Sequence, residues 1–557
     1  MSAQNQKPKK KKNQKSNNFV VQGTILAAAG ILVRIIGMVY RIPMQNKIGS
    51  AAMGIYSSAY YIYNIILLLS SYSLPLAVSK MVSARVALGQ HKNAYRIFKS
   101  SLIFSLISGG IACLVAFFGA DFFAARILSE PGAAYAIKVL APTIFVMAFL
   151  GTLRGYFQGL GTMIPTAVSQ IFEQVVNAIF SIVAAYVLFD MGAAIDAERG
   201  TDIYANAYGA AGGTVGTALG ALTALLFCIF VFRMYKRVLN KQMRRDNTVM
   251  LESYGNIARV LIATIIPVII SGTVYNISNL IDNSIYGFYM NSSGQSAHYM
   301  ANWGVYSGQY YLLINVPVAI ANALSSSMLP SLTRTVTEGK RGEALRKINV
   351  TIRFSMIVAI PSAVGLTVLG GPIVEMLFTQ DTQLGGDLLF LGSLAVVFFS
   401  LSTVSNGILQ GLNKMKVPVR NAMISLIIHV GLLIALLYGL KTGIYGVVIA
   451  NMLFGFSMCV LNGISISNCL GYRQEVKKTF VLPFLASAVM GAVSYLVYYL
   501  LNLLTRRNSI ACLAAVVVAV LVYFVLLIVF RCVDESELRS LPMGGKMTAA
   551  AKKLHLM

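Results

Sequence analysis

Few ionisable side chains lie inside the long apolar runs of this chain, and any chemistry done there must fall to them. They are Arg34 and Arg41 in the first run, Glu173 in the fifth and Asp282 in the seventh, with Arg154 and Arg420 close to run ends. A charge at the middle of a membrane-spanning helix costs at least ~2.5–3.5 kcal/mol, so each one marks a function or an ion pair. Arg34 and Arg41 are seven residues apart and project from nearly one helix face, with Gly30 and Gly37 on or near that stripe. Two guanidiniums so placed suit a phosphate or pyrophosphate, gripped through paired hydrogen bonds. The competing reading has Arg41 snorkelling to the outer interface beside Lys47. In QIFEQVVN, Gln170, Glu173, Gln174 and Asn177 form a polar stripe that must face a cavity or another helix. Glu173 is either a hydrogen-bonding or proton-linked group or the partner of Arg154. Asp282 lies in an acidic, amide-rich stretch with Asn276, Asn279 and Asn283, laid opposite the arginines by helix order together with Tyr275. It is read as a coupling-cation site or as one half of an ion pair joining two lobes.

The elements that position these groups follow from composition. The 557 residues are 57% hydrophobic and 11% charged, with a mean hydropathy of +0.71, whereas soluble domains carry roughly a quarter charged residues. A soluble protein is excluded. Measured against ~20 apolar residues per spanning helix, the runs fall at 20–46, 52–79, 98–120, 134–158, 164–189, 208–232, 257–288, 302–332, 351–374, 386–411, 417–440, 443–468, 479–503 and 509–530. About 14 transmembrane helices make an all-α polytopic membrane protein.

The net charge of +26 would point to nucleic acid in a soluble chain, but here it is distributed by side. The links 80–99, 233–259, 334–353, 414–420 and 473–478 are basic, whereas 190–202 and 375–387 are acidic. Basic links collect in the cytoplasm, which orients the chain with both termini inside. Of the external turns only the last, with Arg506 and Arg507, departs from the pattern. The lysine-rich residues 1–19 read as a basic cytoplasmic tail that touches anionic lipid, and 533–557 as a second cytoplasmic tail. No nucleic-acid role is expected.

Internal repetition organises the rest. GIYSSAYY (54–61) recurs as GVYSGQYY (304–311), Leu74-Pro75 as Leu329-Pro330, and RGYFQGLGTMIP (154–165) as NGILQGLNKMKVP (406–418). The reading is two parallel six-helix repeats around a central cavity, plus two C-terminal helices. The N-lobe is 20–237, a basic link 238–254 follows, the C-lobe is 255–470, and 471–532 holds the last two helices. Repeats of this kind place a solute site in the cavity between them, as transporters do. The tyrosine stripes Tyr56/Tyr60/Tyr63 and Tyr306/Tyr310 read either as walls facing a sugar or peptide or as an interfacial aromatic belt; the belt is the expectation for Tyr56 and Tyr306. Tyr60 and Gln309 join the candidate substrate contacts. The glycine tracks Gly151/Gly155/Gly159 and Gly212/Gly216/Gly220 read as helix-packing surfaces. Pro75, Pro267, Pro317, Pro330 and Pro361 read as kinks. The six cysteines show no metal-ligand or disulfide spacing, no enzyme signature is present, and no cofactor is expected. A coupling cation, Na+ or H+, is left open.

GTILAAAGILVRIIGMVYRIP, SLPLAVSKMVS, LRGYFQGLGTMIPTAVSQIFEQVVN and NGILQGLNKMKVP together resemble the Gram-positive polysaccharide-export branch of the MOP superfamily, in its SpoVB/YtgP group, which is related to the MurJ lipid II flippases. The resemblance covers about residues 20–530. It implies translocation of an undecaprenyl-pyrophosphate-linked peptidoglycan precursor from inner to outer leaflet, with the last two helices forming a lipid-tail groove. It also implies that Arg34, in R-I-I-G, lines a cationic cavity, with Arg41 matching the next family arginine after a one-residue insertion. The family's second-helix arginine is replaced here by Tyr56, Tyr60, Tyr63 and Asn64. The expectation is therefore a multi-pass flippase of the bacterial cell membrane, working beside the cell-wall synthesis machinery. The alternatives are a cation-coupled MATE-type drug exporter and a membrane-embedded glycan polymerase or its scaffold.

Overall fold

The computed structural model describes residues 26, 28–530 and 532; the basic N-terminal tail, the C-terminal tail and the side chains of Pro267, Tyr275 and Pro330 lie outside what it describes. The described residues are helical apart from the links between helices, as a bilayer requires of the spans, because hydrocarbon offers no partner for an unpaired backbone group. Eleven helices are long and apolar enough to cross a membrane among the described residues, or twelve when one bent pair counts as a single span. The expected count of 14 is thus reached only by adding two runs. One is α1 (Ala28–Val39), short as described. The other is α7 (Tyr254–Ser292), whose described apolar stretch is Tyr254–Ile266.

The first run divides where the sequence dictates. Pro43 has no N–H to offer the Val39 carbonyl four residues back, so one rung of the helical ladder is lost between α1 and the next helix, while the Tyr40 N–H still donates to Ile36 at 3.2 Å. α2 (Arg41–Ala87) follows directly. The backbone leaves helical geometry at Gly49, with φ 82° and ψ 172°, a conformation that favours glycine. The boundary between the first two runs is therefore Gly49, and between Arg34 and Arg41 the backbone keeps helical angles, with Tyr40 at φ −68° and ψ −22°. A π-helical turn, Leu68–Tyr72, widens α2 just before Pro75.

The following helices are α3 (His91–Phe118), α4 (Ala133–Gly159), α5 (Ile164–Arg199) and α6 (Tyr204–Arg244). Pro165 opens α5, Gly200 closes it in the left-handed region, and Asp196 turns the chain into α6 by accepting the N–H groups of Ile203, Tyr204 and Ala205. The chain divides into two compact units, Met1–Gly287 and Phe288–Met557. The division falls inside α7, not in the basic link at 238–254.

Within the first unit, Leu74, Val78 and Val82 of α2 pack with Phe98, Tyr156 and Phe157, and Ile257, Leu261 and Ile265 of α7 join that core. The glycine track of α4 is what admits this contact. A Cβ on Gly155 would meet the Pro75 carbonyl oxygen at 2.7 Å, and one on Gly159 would meet Val82 at 2.6 Å.

The second unit holds α8 (Ser296–Thr337), α9 (Arg341–Leu377), the bent α10 (Thr382–Gly392 and Ala395–Gly411), α11 (Lys416–Gly439), α12 (Ile444–Leu470), α13 (Lys477–Thr505) and α14 (Asn508–Val529). The two parts of α10 meet at 55°. The Gly392 carbonyl is released from the helical ladder there and accepts from the Tyr310 hydroxyl at 3.1 Å. The repeat is visible in the packing, since Gly407 and Gly411 face Ser325 and Leu332 of α8 just as Gly155 and Gly159 face α2. α13 and α14 lie on α9, where Gly491 approaches Val364 and the Tyr523 hydroxyl donates to the Ile357 carbonyl at 2.9 Å. Leu513, Val517, Val520 and Leu521 of α14 point outward, the pattern of a surface solvated by lipid.

Candidate functional site

The candidate site is a polar column inside the first unit, built by α2, α5 and α6. Tyr56, Tyr60 and Tyr63 recur on one face of α2, with ring centroids 4.7 and 5.7 Å apart along the series. Tyr56 is 0% exposed, and Tyr306 of the second unit is equally buried. Neither belongs to an interfacial belt; a belt needs one wet end, and both rings are enclosed by helices.

Arg41 anchors one end of the column. Its guanidinium lies 5.7 Å from the centre of the Tyr56 ring, a cation–π distance, while the Tyr56 hydroxyl meets that of Tyr40 at 2.9 Å. Arg41 Nε is buried without a hydrogen-bond acceptor, and Arg41 forms no ion pair among the described residues. Four residues on, buried Gln45 has neither its amide nitrogen nor its oxygen satisfied. The cation is therefore held by aromatic faces and not neutralised by a carboxylate.

The middle of the column is a hydroxyl and amide relay. Tyr60 hydrogen-bonds Thr217 of α6, Thr217 donates to Asn177 Oδ1 at 3.2 Å, and the Ser181 hydroxyl lies 2.9 Å from the same oxygen and 2.7 Å from the Gly213 carbonyl. Gly212, Gly216 and Gly220 bring the α6 backbone against α5 at Ala184, Asn177 and Glu173, and this contact puts Thr217 within reach. Thr217 and Ser181 were not singled out by sequence reasoning. The signal was there in the glycine track around Thr217, read only as packing.

At the other end Glu173 Oε2 pairs with Arg154 Nη2 at 2.7 Å, and Arg154 Nε donates to the Ser169 hydroxyl at 2.9 Å. Of the two readings of Glu173, the ion pair is the one formed. α1 joins through Gly37, where a Cβ would meet Gln174 Nε2 at 3.1 Å. Arg34 is exposed and makes no hydrogen bond or ion pair among the described residues. Asp282 of α7 is fully buried, and its neighbour Asn283 donates to the Ser58 hydroxyl on α2 at 2.5 Å, which donates on to the Gly54 carbonyl. Gln309 lies in the second unit, buried, with its amide donating to the Gln380 carbonyl at 2.9 Å.

The column offers one unneutralised cation, aromatic faces and hydroxyls. These can bind and reorient a polar anionic group, but they supply no nucleophile paired with a base. Among the described residues no three His, Cys, Asp or Glu side chains gather as a metal site would need.

Residues 20–336 match the family model of polysaccharide biosynthesis proteins, and 311–434 match that of MatE proteins. The chain is 27% identical over 516 residues to the lipid II flippase MurJ of Bacillus subtilis (strain 168), covering 90% of this chain and 92% of that one. It is 24% identical over 536 residues to the stage V sporulation protein B of the same organism, covering 95% and 98%. In three dimensions it is similar to a lipid II flippase MurJ in an inward closed conformation, with a TM-score of 0.59 and 16% identity over 91% of this chain and 99% of that one.

Proposed function

The chain belongs to the polysaccharide biosynthesis protein family of the MOP superfamily, and from that membership we propose that it is a lipid-linked oligosaccharide flippase whose substrate is the undecaprenyl-pyrophosphate-linked peptidoglycan precursor lipid II. One observation carries the reading: Arg41 is a half-buried cation with no carboxylate partner among the described residues and with its Nε enclosed without an acceptor, lodged among tyrosines in a helix bundle that lipid surrounds. Enclosing an unpaired charge even in part is costly, and a transient anionic ligand such as a pyrophosphate relieves that cost. The hydroxyls of Tyr40, Tyr56, Tyr60 and Thr217 then serve the sugar and phosphate oxygens. The likeness to MurJ along nine-tenths of the chain supports the same substrate class.

The physics needs no soluble domain. The prenyl tail stays in lipid, so only the headgroup requires a polar path, and alternating access of the column to the two sides moves it. A net negative headgroup moving outward gains ~2.3 kcal/mol per charge per 100 mV from an inside-negative potential. The protein is placed in the bacterial cell membrane with both termini cytoplasmic, following the basic links. Drug export of the MATE type is the weaker reading, because Glu173, the carboxylate that would meet a cationic drug, is already engaged by Arg154.

The test is movement of labelled lipid II across proteoliposomes. Wild type transports it. Arg41→Ala and Arg34→Ala abolish transport at unchanged insertion, while Arg41→Lys retains part, because an ammonium keeps the charge but loses the paired donors. Normal transport by both alanine variants refutes the cationic-column mechanism, and failure of the wild type on lipid II with success on another lipid-linked glycan corrects the substrate.

A further inference from the structure

Helix α6 is 41 residues long, about 62 Å, twice the ~30 Å hydrocarbon thickness. Its last turns therefore stand outside the hydrocarbon. They carry Arg233, Lys236, Arg237, Lys241 and Arg244, followed by Arg245, all exposed and with no carboxylate among them. The chain then runs without regular structure over 246–253, yet it is pinned at several points. Asp246 accepts the Lys92 N–H at 2.7 Å, and Asn93 both accepts from the Glu252 N–H at 3.0 Å and donates to the Met250 carbonyl at 3.3 Å. Glu252 pairs with Arg85, and Arg96 sits 4.4 Å over the ring of Tyr254.

Between these pins Val249 is 91% exposed and Met250 86% exposed. A link serving only to orient the chain needs positive charge, but it needs neither a held backbone nor an apolar tip. The depth of that tip follows from Asn93, which lies five residues before Phe98, where the apolar run of α3 begins. Five residues are about 7.5 Å of helix, the depth of a headgroup layer. Tyr254, beside the tip, is the residue type that settles at that level.

We propose that residues 233–251 form a binding surface for anionic phospholipid headgroups, with the six cations on the phosphates and Val249 and Met250 inserted between them. This goes beyond transport and holds whatever the transported substrate is. The attraction is worth about fivefold in local partition for each Lys or Arg near the surface and is screened by salt. An acidic protein partner would use the same cations, but it would not require the apolar tip at headgroup depth.

The 557-residue chain has a single tryptophan, Trp303, which is fully buried, so Val249→Trp adds a separable emission. In nanodiscs containing phosphatidylglycerol that added emission is expected to be blue-shifted. It should be quenched several-fold more by brominated phosphatidylglycerol than by brominated phosphatidylcholine, and protected from iodide. Combining it with Lys236→Gln, Arg237→Gln, Lys241→Gln and Arg244→Gln should remove the preference, as should molar salt, while the Trp303 signal reports that the fold is kept. Equal iodide access in anionic and neutral discs overturns the proposal. So does shielding that is independent of lipid composition, which would assign the tip to a protein contact.

Discussion

The repeated motif of α4 and α10 keeps one packing surface and carries two different chemistries. In the first unit the motif begins with Arg154, which holds Glu173 and Ser169 in a charged cluster. In the second it begins with Asn406, whose side-chain oxygen accepts from Asn462 at 2.8 Å, while Asn462 also donates to Ser405 and accepts from Asn421. The following glycine does the same work in both, letting the neighbouring helix approach. Duplication thus preserved what backbones need to pack, and left charge on one side and neutral amides on the other. The charged half is also the one that holds Arg41. The difference teaches that near-symmetric packing does not imply two equivalent substrate-binding halves.

The largest test exchanges the two chemistries. Arg154→Asn writes the second unit's residue into the first and leaves Glu173 without its partner. Because Glu173 is about one quarter exposed, the loss should be about 3 kcal/mol, the lower end of what breaking a buried pair costs. Thermal unfolding in detergent measures it, and adding Glu173→Gln should restore most of it; no recovery would mean that the pair is not the reason for the loss. A smaller effect separates the two glycines. Gly155→Ala meets the backbone of Pro75, which cannot move aside, and should cost about 1–3 kcal/mol. Gly407→Ala meets the Ser325 hydroxyl, which can rotate away, and should cost less than about 1 kcal/mol. Equal losses at the two sites would show that the two packings are less alike than their motifs.

The smallest effect is a pH dependence confined to the first unit. Burial pushes the carboxyl of Asp246 up, but hydrogen bonds from the Lys92 N–H and from the Thr248 hydroxyl and N–H outweigh it and hold the group below the usual carboxylate range. A depressed folded-state pKa stabilises fully above the unfolded value of about 3.9 and loses that stabilisation as pH falls through the folded value. Asp246→Asn should therefore lower stability near neutrality, with the gap to wild type closing in acid. A gap that stays constant with pH would assign the contribution of Asp246 to shape alone.

Much of this was legible in the chain itself. The apolar runs, the basic links and the offset repeats specify a polytopic helical membrane protein, because in hydrocarbon length and composition leave the backbone no other solution. Arg154 with Glu173 was recognisable as a candidate pair, whereas the break at Gly49 was not among the kinks read from the chain. Contacts between distant helices were not readable. That Tyr56 is buried rather than belted, and that Thr217 links Tyr60 to Asn177, depend on how α2, α5 and α6 rotate against one another. The chain division inside α7 is of the same kind, since that helix contributes Ile257, Leu261 and Ile265 to the first unit's core. Periodicity states which residues share a helix face; only packing decides what that face meets, and so which charges are neutralised and which remain for a ligand.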